Sequence, residues 1–420
     1  MTRPKRTFAT RKQLILIFPL LFIVLTTFIA VHFHFIHQVS RREIVNVGII
    51  IEDSSVGAYN DLAGFIDTLP IFTKYDFYLK YDNAKDVYSN STWIAFLTSK
   101  GKIIPTLGWT QLHDHAWRRN LVDEVFEKHK NATGSYPRGF ADFQSDTYIA
   151  NYARQTYNIT FIGMQIFEQW MIDWMTSLGN WQCPYYAREN NVLLPSEKGK
   201  GIVMLPHLTW DWICRNTKNH QWSSHPEGLY IVSNNENEML DYLKSLCRKT
   251  VENMEPFGFF VTMFENVCSH AYNNYYRSWY EWLLSQDFDY MTCDEIADYL
   301  NENFDETPTY TIEYTPPEIT GETSSIEWFF NKDYRISRLS SNYICSFIDY
   351  TNNQSYDQYL SNVGSINTSS SPSKTNCIWY SAHYTIDDWR GAPNASQETV
   401  KEGEFFDKNL EDFPSLQGED

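Results

Sequence analysis

From residue 45 onward, short apolar runs alternate with segments whose apolar residues recur at helical spacing. The runs are Val45–Ile51, Asp76–Lys80, Lys102–Leu107, Arg138–Phe143, Thr160–Met164, Gly201–Leu205, Gly258–Met263 and Phe288–Met291. Between them Leu121–Lys130, Asp146–Tyr157, Asn235–Met254 and Ser278–Gln286 carry the helical pattern. Strand followed by helix, repeated seven or eight times over about 260 residues, predicts an α/β domain. That length suits a closed (β/α)7–8 barrel better than a doubly wound sheet. The expected barrel covers residues 44–304, with Cys293–Asn303 as its closing helix. No glycine-rich phosphate loop follows the first run, which disfavours a nucleotide-binding sheet.

Beyond residue 304 the texture changes. Residues 305–325 are rich in Thr, Pro and Glu and read as a linker. Residues 326–390 carry short alternating patterns broken by Asn/Ser clusters, which predicts a small all-β, sandwich-like domain. Residues 391–420 form an acidic tail.

The other end of the chain has a different character. Leu14–Val31 is eighteen residues without a charge, close to the ~20 a membrane-crossing helix needs. Arg3, Lys5, Arg6, Arg11 and Lys12 precede it, and this basic excess favours a cytosolic N-terminus. We therefore expect a basic cytosolic tail at 1–13, a signal anchor at 14–36, and a single-pass type II protein whose bulk is lumenal or extracellular. A cleaved signal peptide is the alternative, and it too would translocate the bulk of the chain. Six N-x-S/T sequons, at Asn90, Asn131, Asn158, Asn353, Asn367 and Asn394, all lie past the anchor and agree with that side of the membrane. Cys345 and Cys377 stand alone in the C-terminal third and are a candidate disulfide in an oxidising compartment. With seven cysteines, at least one is left without an intrachain partner.

A net charge of −18 argues against a nucleic-acid partner, which needs a basic footprint. Aromatic residues make up 16 % of the chain; they fit either an ordinary core or rings that stack on sugars.

In a barrel, chemistry sits where strands end. Reading the ends in order gives Glu52-Asp53, His113-Asp114-His115, Asp142 with Gln144 and Asp146, Glu168 and Asp173, His207 with Asp211, and Glu265 with His270. Such a set suits a divalent ion held by Asp and His, zinc for example, or a carboxylate pair for glycosidic cleavage. Some of these acids are expected only to cap the next helix. An H-x-H pair presents both rings to one face if it lies on a strand. The Asp287–Asp289 triplet DFD resembles the metal-nucleotide motif of glycosyltransferases.

The acidic pair in IIIEDSS, the histidines of LGWTQLHDHAW, the strand YPRGFADFQSD and the close FDYMTCDEIADYL resemble the glycoside hydrolase/deacetylase barrel superfamily, polysaccharide deacetylases included. MIDWMTSLGNWQCPYYARENNVLLP resembles an insertion seen in that group. The resemblance spans residues 44–304. It implies a metal-dependent hydrolase in which Glu52 is the base and Asp53 binds the metal with His113. This chain has Glu-Asp-Ser where the family has two aspartates followed by Gly. Trp117 stands at the family's second histidine, with His115 two residues earlier, and Glu265 stands where a catalytic histidine is expected. Asp142 with Glu265 could instead serve as glycosidase-like acid and nucleophile. The expected function is thus a membrane-anchored, carbohydrate-active hydrolase, with catalytic candidates Glu52, Asp142 and Glu265 and metal candidates Asp53, His113 and His115. The alternatives are a non-catalytic glycan-binding barrel and a type II glycosyltransferase.

Overall fold

A computed structural model describes residues 41–51, 55–80, 87–107, 114–141, 147–165, 182–214, 222–232, 235–265, 274–339, 344–349 and 377–379. The expected anchor at 14–36, both expected tails, Asn353, Asn367 and Asn394 lie outside them. Among the described residues no helix is long and apolar enough to cross a membrane.

The centre is a parallel sheet of β1 (Glu43–Ile51), β2 (Tyr75–Lys80), β3 (Gly101–Thr106), β4 (Gly139–Ala141), β5 (Phe161–Gln165), β8 (Val203–Pro206) and β10 (Gly258–Glu265). Their order is β10-β1-β2-β3-β4-β5-β8, extended by the antiparallel hairpin β6 (Tyr185–Arg188) and β7 (Asn191–Pro195). Crossover helices α1 (Val56–Thr68), α2 (Ser91–Lys100), α3 (His115–Thr133), α4 (Thr147–Tyr157) and α6 (Glu236–Asn253) connect successive strands. β1, EIVNVGIII, is apolar almost throughout, and Ile44 to Ile51 are all buried, as a parallel strand masked on both faces requires.

The sheet curls toward closure between β8 and β10. No strand ladder joins these two among the described residues; the chain following β8 stitches them instead. Thr209 N donates to Val261 O (3.1 Å) and Val261 N to Thr209 Oγ1 (2.9 Å). Ser224 N donates to Thr209 O (2.7 Å), and Thr262 Oγ1 to Ser224 O (2.8 Å). We call this line of contact the seam.

The amino end of the strands is plugged. Asn46 Nδ2 donates to Asp76 Oδ2 (2.6 Å) and to Met291 O (2.9 Å), and Cys293 N donates to the same carboxylate oxygen (2.8 Å). β11 (Asp289–Tyr290) pairs only with Ile44 and Val45, at the start of β1. The run expected to be an eighth barrel strand is therefore a two-residue floor piece, leading into α8 (Cys293–Asn303). Interior space is tight here: a Cβ on Gly48 would come within 2.8 Å of Tyr78 Cε2.

The second sheet is antiparallel, in the order β16-β15-β14-β13-β12-β9. Its strands are β9 (Met254–Glu255), β12 (Tyr310–Tyr314), β13 (Ile326–Phe330), β14 (Tyr334–Leu339), β15 (Ile344–Asp349) and β16 (Cys377–Trp379). Two expectations change here. The stretch 305–325 contains β12, and Thr307, Tyr310 and Tyr314 are buried. And among the described residues there is one sheet packed against the barrel rather than a sandwich of two. Trp328 Nε1 donates to Trp212 O (2.9 Å), Tyr310 Oη to Pro184 O (2.8 Å) and Thr307 Oγ1 to Ser196 O (2.8 Å). Aromatic side chains with a polar tip suit such a junction, because each buries its ring and still pairs its donor. A single apolar core runs from Ile44 to Phe330, and the described residues from 43 onward belong to one compact unit.

Cys183, Cys214, Cys247 and Cys293 are buried free thiols. Cys377 is registered opposite Ile348, three positions from Cys345, so this pairing does not set Cys345 and Cys377 across from each other. Of the described sequon asparagines, Asn131 and Asn158 are exposed. Asn90 caps α2, its side chain accepting from Thr92 N (3.1 Å) and Trp93 N (3.2 Å).

Candidate active site

The carboxyl ends of the parallel strands converge on one edge of the curled sheet. The strands end at Ile51, Lys80, Thr106, Ala141, Gln165, Pro206 and Glu265. Glu52 and Asp53 follow β1, His113 falls between β3 and α3, and Asp142 follows β4. These four, with Glu168, Asp173 and His270, lie outside the described residues. The backbone establishes the order of the strand ends around the edge. Ile50 is registered with Glu265, the last residue of β10. Ala141, immediately before Asp142, is registered with Thr106 of β3 and Gly163 of β5. The described strand ends Ile51, Thr106, Ala141 and Glu265 thus lie at one edge of the sheet, in the order β10-β1-β2-β3-β4.

The H-x-H motif is not on a strand. Asp114 is the N-cap of α3, its carboxylate accepting from Trp117 N (2.8 Å), and His115 is the first helical residue. The His115 ring stacks on Tyr148 from the first turn of α4, with centroids 3.7 Å apart and planes 8° from parallel. Arg119 lies over Tyr148 and Tyr152, at 5.8 and 5.7 Å. His115 thus packs α3 against α4. Among the described residues no group of three or more His, Cys, Asp or Glu side chains could hold a metal ion. Asp53 and His113 lie outside the described residues, so no step below is routed through a metal.

His207 and Asp211, four residues apart in the chain, part company in the fold. Asp211 turns away from the edge and clasps the second sheet. Its Oδ1 accepts from Ile213 N (3.1 Å) and Cys214 N (2.8 Å), and its Oδ2 accepts from Tyr242 Oη and Tyr314 Oη (both 2.9 Å). Burial pushes this carboxyl above the usual range, and the four donors pull it back only in part. His207 directly follows Pro206 at the end of β8. Its Nδ1 is out of solvent, and its pKa is pushed down to about 3 by burial, reinforced by the neighbouring His225.

His225 and Glu227 were not among the candidates read from the sequence, because they follow no apolar run. They reach the edge through the seam: Ser223 bridges Trp210 and Ser224 is bonded to Thr209. α5 (Pro226–Val232) begins immediately after His225. His225 Nε2 lies 3.5 Å from Glu227 Oε2, and only 16 % and 11 % of these two side chains is exposed. The other oxygen, Glu227 Oε1, is buried without a hydrogen-bond partner among the described residues. A histidine, a second histidine and a carboxylate are therefore gathered where β8 meets β10.

The DFD triplet is at the wrong end. Asp289 pairs with Ile44 at the amino end of β1, opposite the edge described above, and gives a nucleotide-sugar site no place among the candidate residues.

Comparison with known proteins agrees with this architecture. A family described as a domain of unknown function with a solved structure (DUF3863) matches residues 117–315, just under half of the chain. That match runs into the expected linker and ends at residue 315, just past β12, as the packing of that strand on the barrel would have it. No curated protein matches. A crystal structure from Parabacteroides distasonis, titled as a candidate glycoside hydrolase/deacetylase, superposes with a TM-score of 0.60 at 13 % identity. It covers 74 % of this chain and 85 % of its own. The catalytic domain of a peptidoglycan N-acetylglucosamine deacetylase from Eubacterium rectale ATCC 33656 covers 60 % of this chain and 89 % of its own, at 9 % identity and a TM-score of 0.30. This chain shares the fold of the first of these structures.

Proposed function

We propose that this protein is a membrane-anchored carbohydrate-active hydrolase that cleaves an acetyl or glycosidic bond of a glycan in the lumen or outside the cell. One observation carries the reading. In a fold shared with a candidate glycoside hydrolase/deacetylase, the strand end at Glu265, His207 and the His225–Glu227 pair fall at the carboxyl edge, where barrels place their chemistry, and the opposite edge is plugged. The uncharged segment 14–31, the basic residues before it and the sequons after it support the location.

In this reading Glu52 is the base that takes a proton from water, and Asp142 and Glu265 are the alternative carboxylate pair for cleavage at a sugar carbon. A divalent ion such as zinc, if held by Asp53 and His113, would polarise the carbonyl and lower the pKa of bound water. The test is the metal content of the purified full-length chain beside Asp53→Ala and His113→Ala. A stoichiometric ion lost from both variants supports the deacetylase form. No ion after supplementation removes it and leaves the Asp142/Glu265 glycosidase, or a glycan-binding barrel without chemistry.

A further inference from the structure

One turn at the plugged end of the barrel serves neither the core nor the carboxyl edge. α4 stops at Asn158, whose N donates to Arg154 O (2.9 Å) and whose φ of 56° is the left-handed conformation that asparagine tolerates. Asn158 is exposed, whereas Ile159 after it is buried. Thr160 then joins the barrel: its N and its Oγ1 both donate to Arg138 O, at 2.7 and 3.2 Å. Two residues ahead of that contact lie Asn158 on one segment and Tyr136 on the other. Tyr136 is 36 % exposed and its ring lies 5.1 Å from that of Tyr157. Its hydroxyl is held by Lys130 Nζ (3.1 Å) and by Glu127. An exposed tyrosine is ordinary by itself, and an asparagine at a left-handed helix stop is ordinary too. Neither accounts for a hydroxyl residue two positions after that asparagine, nor for an open ring beside it.

We propose that Asn158 carries an N-linked glycan whose first sugar packs on Tyr136. The assignment rests on the lumenal or extracellular location in the reading above. Asn158-Ile159-Thr160 meets the N-x-S/T requirement. In the transfer, Asn158 Nδ2 bonds to the anomeric carbon of an oligosaccharide carried on a lipid diphosphate. The carbon–oxygen bond to the diphosphate breaks, the lipid diphosphate leaves with the electron pair, and the amide gives one proton to a base of the transferase. The attached sugar sets its apolar C–H face on the open ring and takes both out of water. Asn158 precedes β5, so the glycan stands at the plugged end, away from the carboxyl edge after which α7 (Asn274–Leu284) begins. A substrate approaching the candidate site does not meet it.

In the experiment the full-length protein is made in a secretory host that attaches N-glycans, and its glycopeptides are read by mass spectrometry. Asn158 should be occupied in wild type and bare in Thr160→Val, which keeps the β-branched shape without the hydroxyl. Glycan at other sequons with Asn158 bare would overturn the proposal and leave the location standing. No glycan at any sequon, in cells that glycosylate a control secretory protein, would remove the location and the proposal with it. The contact with Tyr136 is tested by trimming with an endoglycosidase that leaves the first sugar on each asparagine. Trimmed protein should melt higher than protein from a bacterial host that attaches no glycan. That gain should be larger in wild type than in Tyr136→Ala by about 2 °C or more. An equal gain in the two would overturn the contact.

Discussion

Replacing Asp211 by Ala should loosen the second sheet from the barrel. Four donors converge on this buried carboxylate: two backbone N–H groups from the turn Ile213–Cys214, Tyr242 on α6 and Tyr314 on β12. Removing it strands all four. Each buried unpaired group costs about 1–3 kcal/mol, and water entering the vacated space recovers part of that. A net loss of roughly 3–5 kcal/mol follows, the range for breaking a buried charged network. Asp211→Asn keeps one acceptor for the two N–H groups and points an amide at two hydroxyl oxygens able to accept, so it should cost only about 1–2 kcal/mol. Tyr314→Phe removes a single bond to a charged acceptor, at about 1.5–3 kcal/mol. Urea unfolding followed by tryptophan fluorescence measures each difference. Limited proteolysis should show Asp211→Ala cut between the barrel and β12 well before wild type. An Asp211→Ala protein within about 1 kcal/mol of wild type, with no earlier cleavage, would refute the clasp.

Three further outcomes follow from the same geometry. Asp76 is raised to about 7, first by burial, against hydrogen bonds from Asn46 and Cys293. Between about pH 4 and 7 the folded chain therefore holds a proton that the unfolded chain has lost, and stability falls as pH rises, by about 1.4 kcal/mol per unit. Asp76→Asn should flatten that decline in urea titrations at several pH values; an unchanged slope would count against it. Gly48→Ala should destabilise by about 1–3 kcal/mol through overpacking on Tyr78 and Met263, while Gly64→Ala, with open space beside it in α1, should stabilise by about 0.5–1 kcal/mol; thermal melts that rank the two in the opposite order would contradict the interior geometry. Asp287→Ala and Asp289→Ala, at the amino end of the strands, should leave hydrolysis rates within about two-fold of wild type.

Much of the barrel was legible because its strands are buried on both faces and write themselves as unbroken apolar runs. The expected Val45–Ile51, Asp76–Lys80 and Gly258–Met263 lie inside β1, β2 and β10, and Cys293–Asn303 coincides with α8. The β6–β7 hairpin was not legible, since its inward tyrosines are polar-tipped and its strands short. Phe288–Met291 has a strand's composition but only β1's first residues to pair with. The Thr/Pro-rich stretch read as a linker because its burial comes from isolated aromatics, Tyr310 and Tyr314, whose hydroxyls find partners on the barrel. At the site, strand-end reading located the edge but could not separate roles. Asp211 and His207 look alike in the chain, yet one is a clasp and the other faces the seam. His225 and Glu227 escaped notice because tertiary contacts through Ser223 and Ser224 bring them in, and no local pattern announces that.

The most direct test of the account is release of acetate or reducing sugar from a panel of acetylated glycans by the full-length protein, beside Glu52→Gln and Asp142→Asn. We predict release by wild type and a loss of about 100-fold or more in at least one variant, with both variants folded. A folded wild-type protein that releases neither product from any glycan, or variants that match it, would contradict a hydrolytic site at the carboxyl edge.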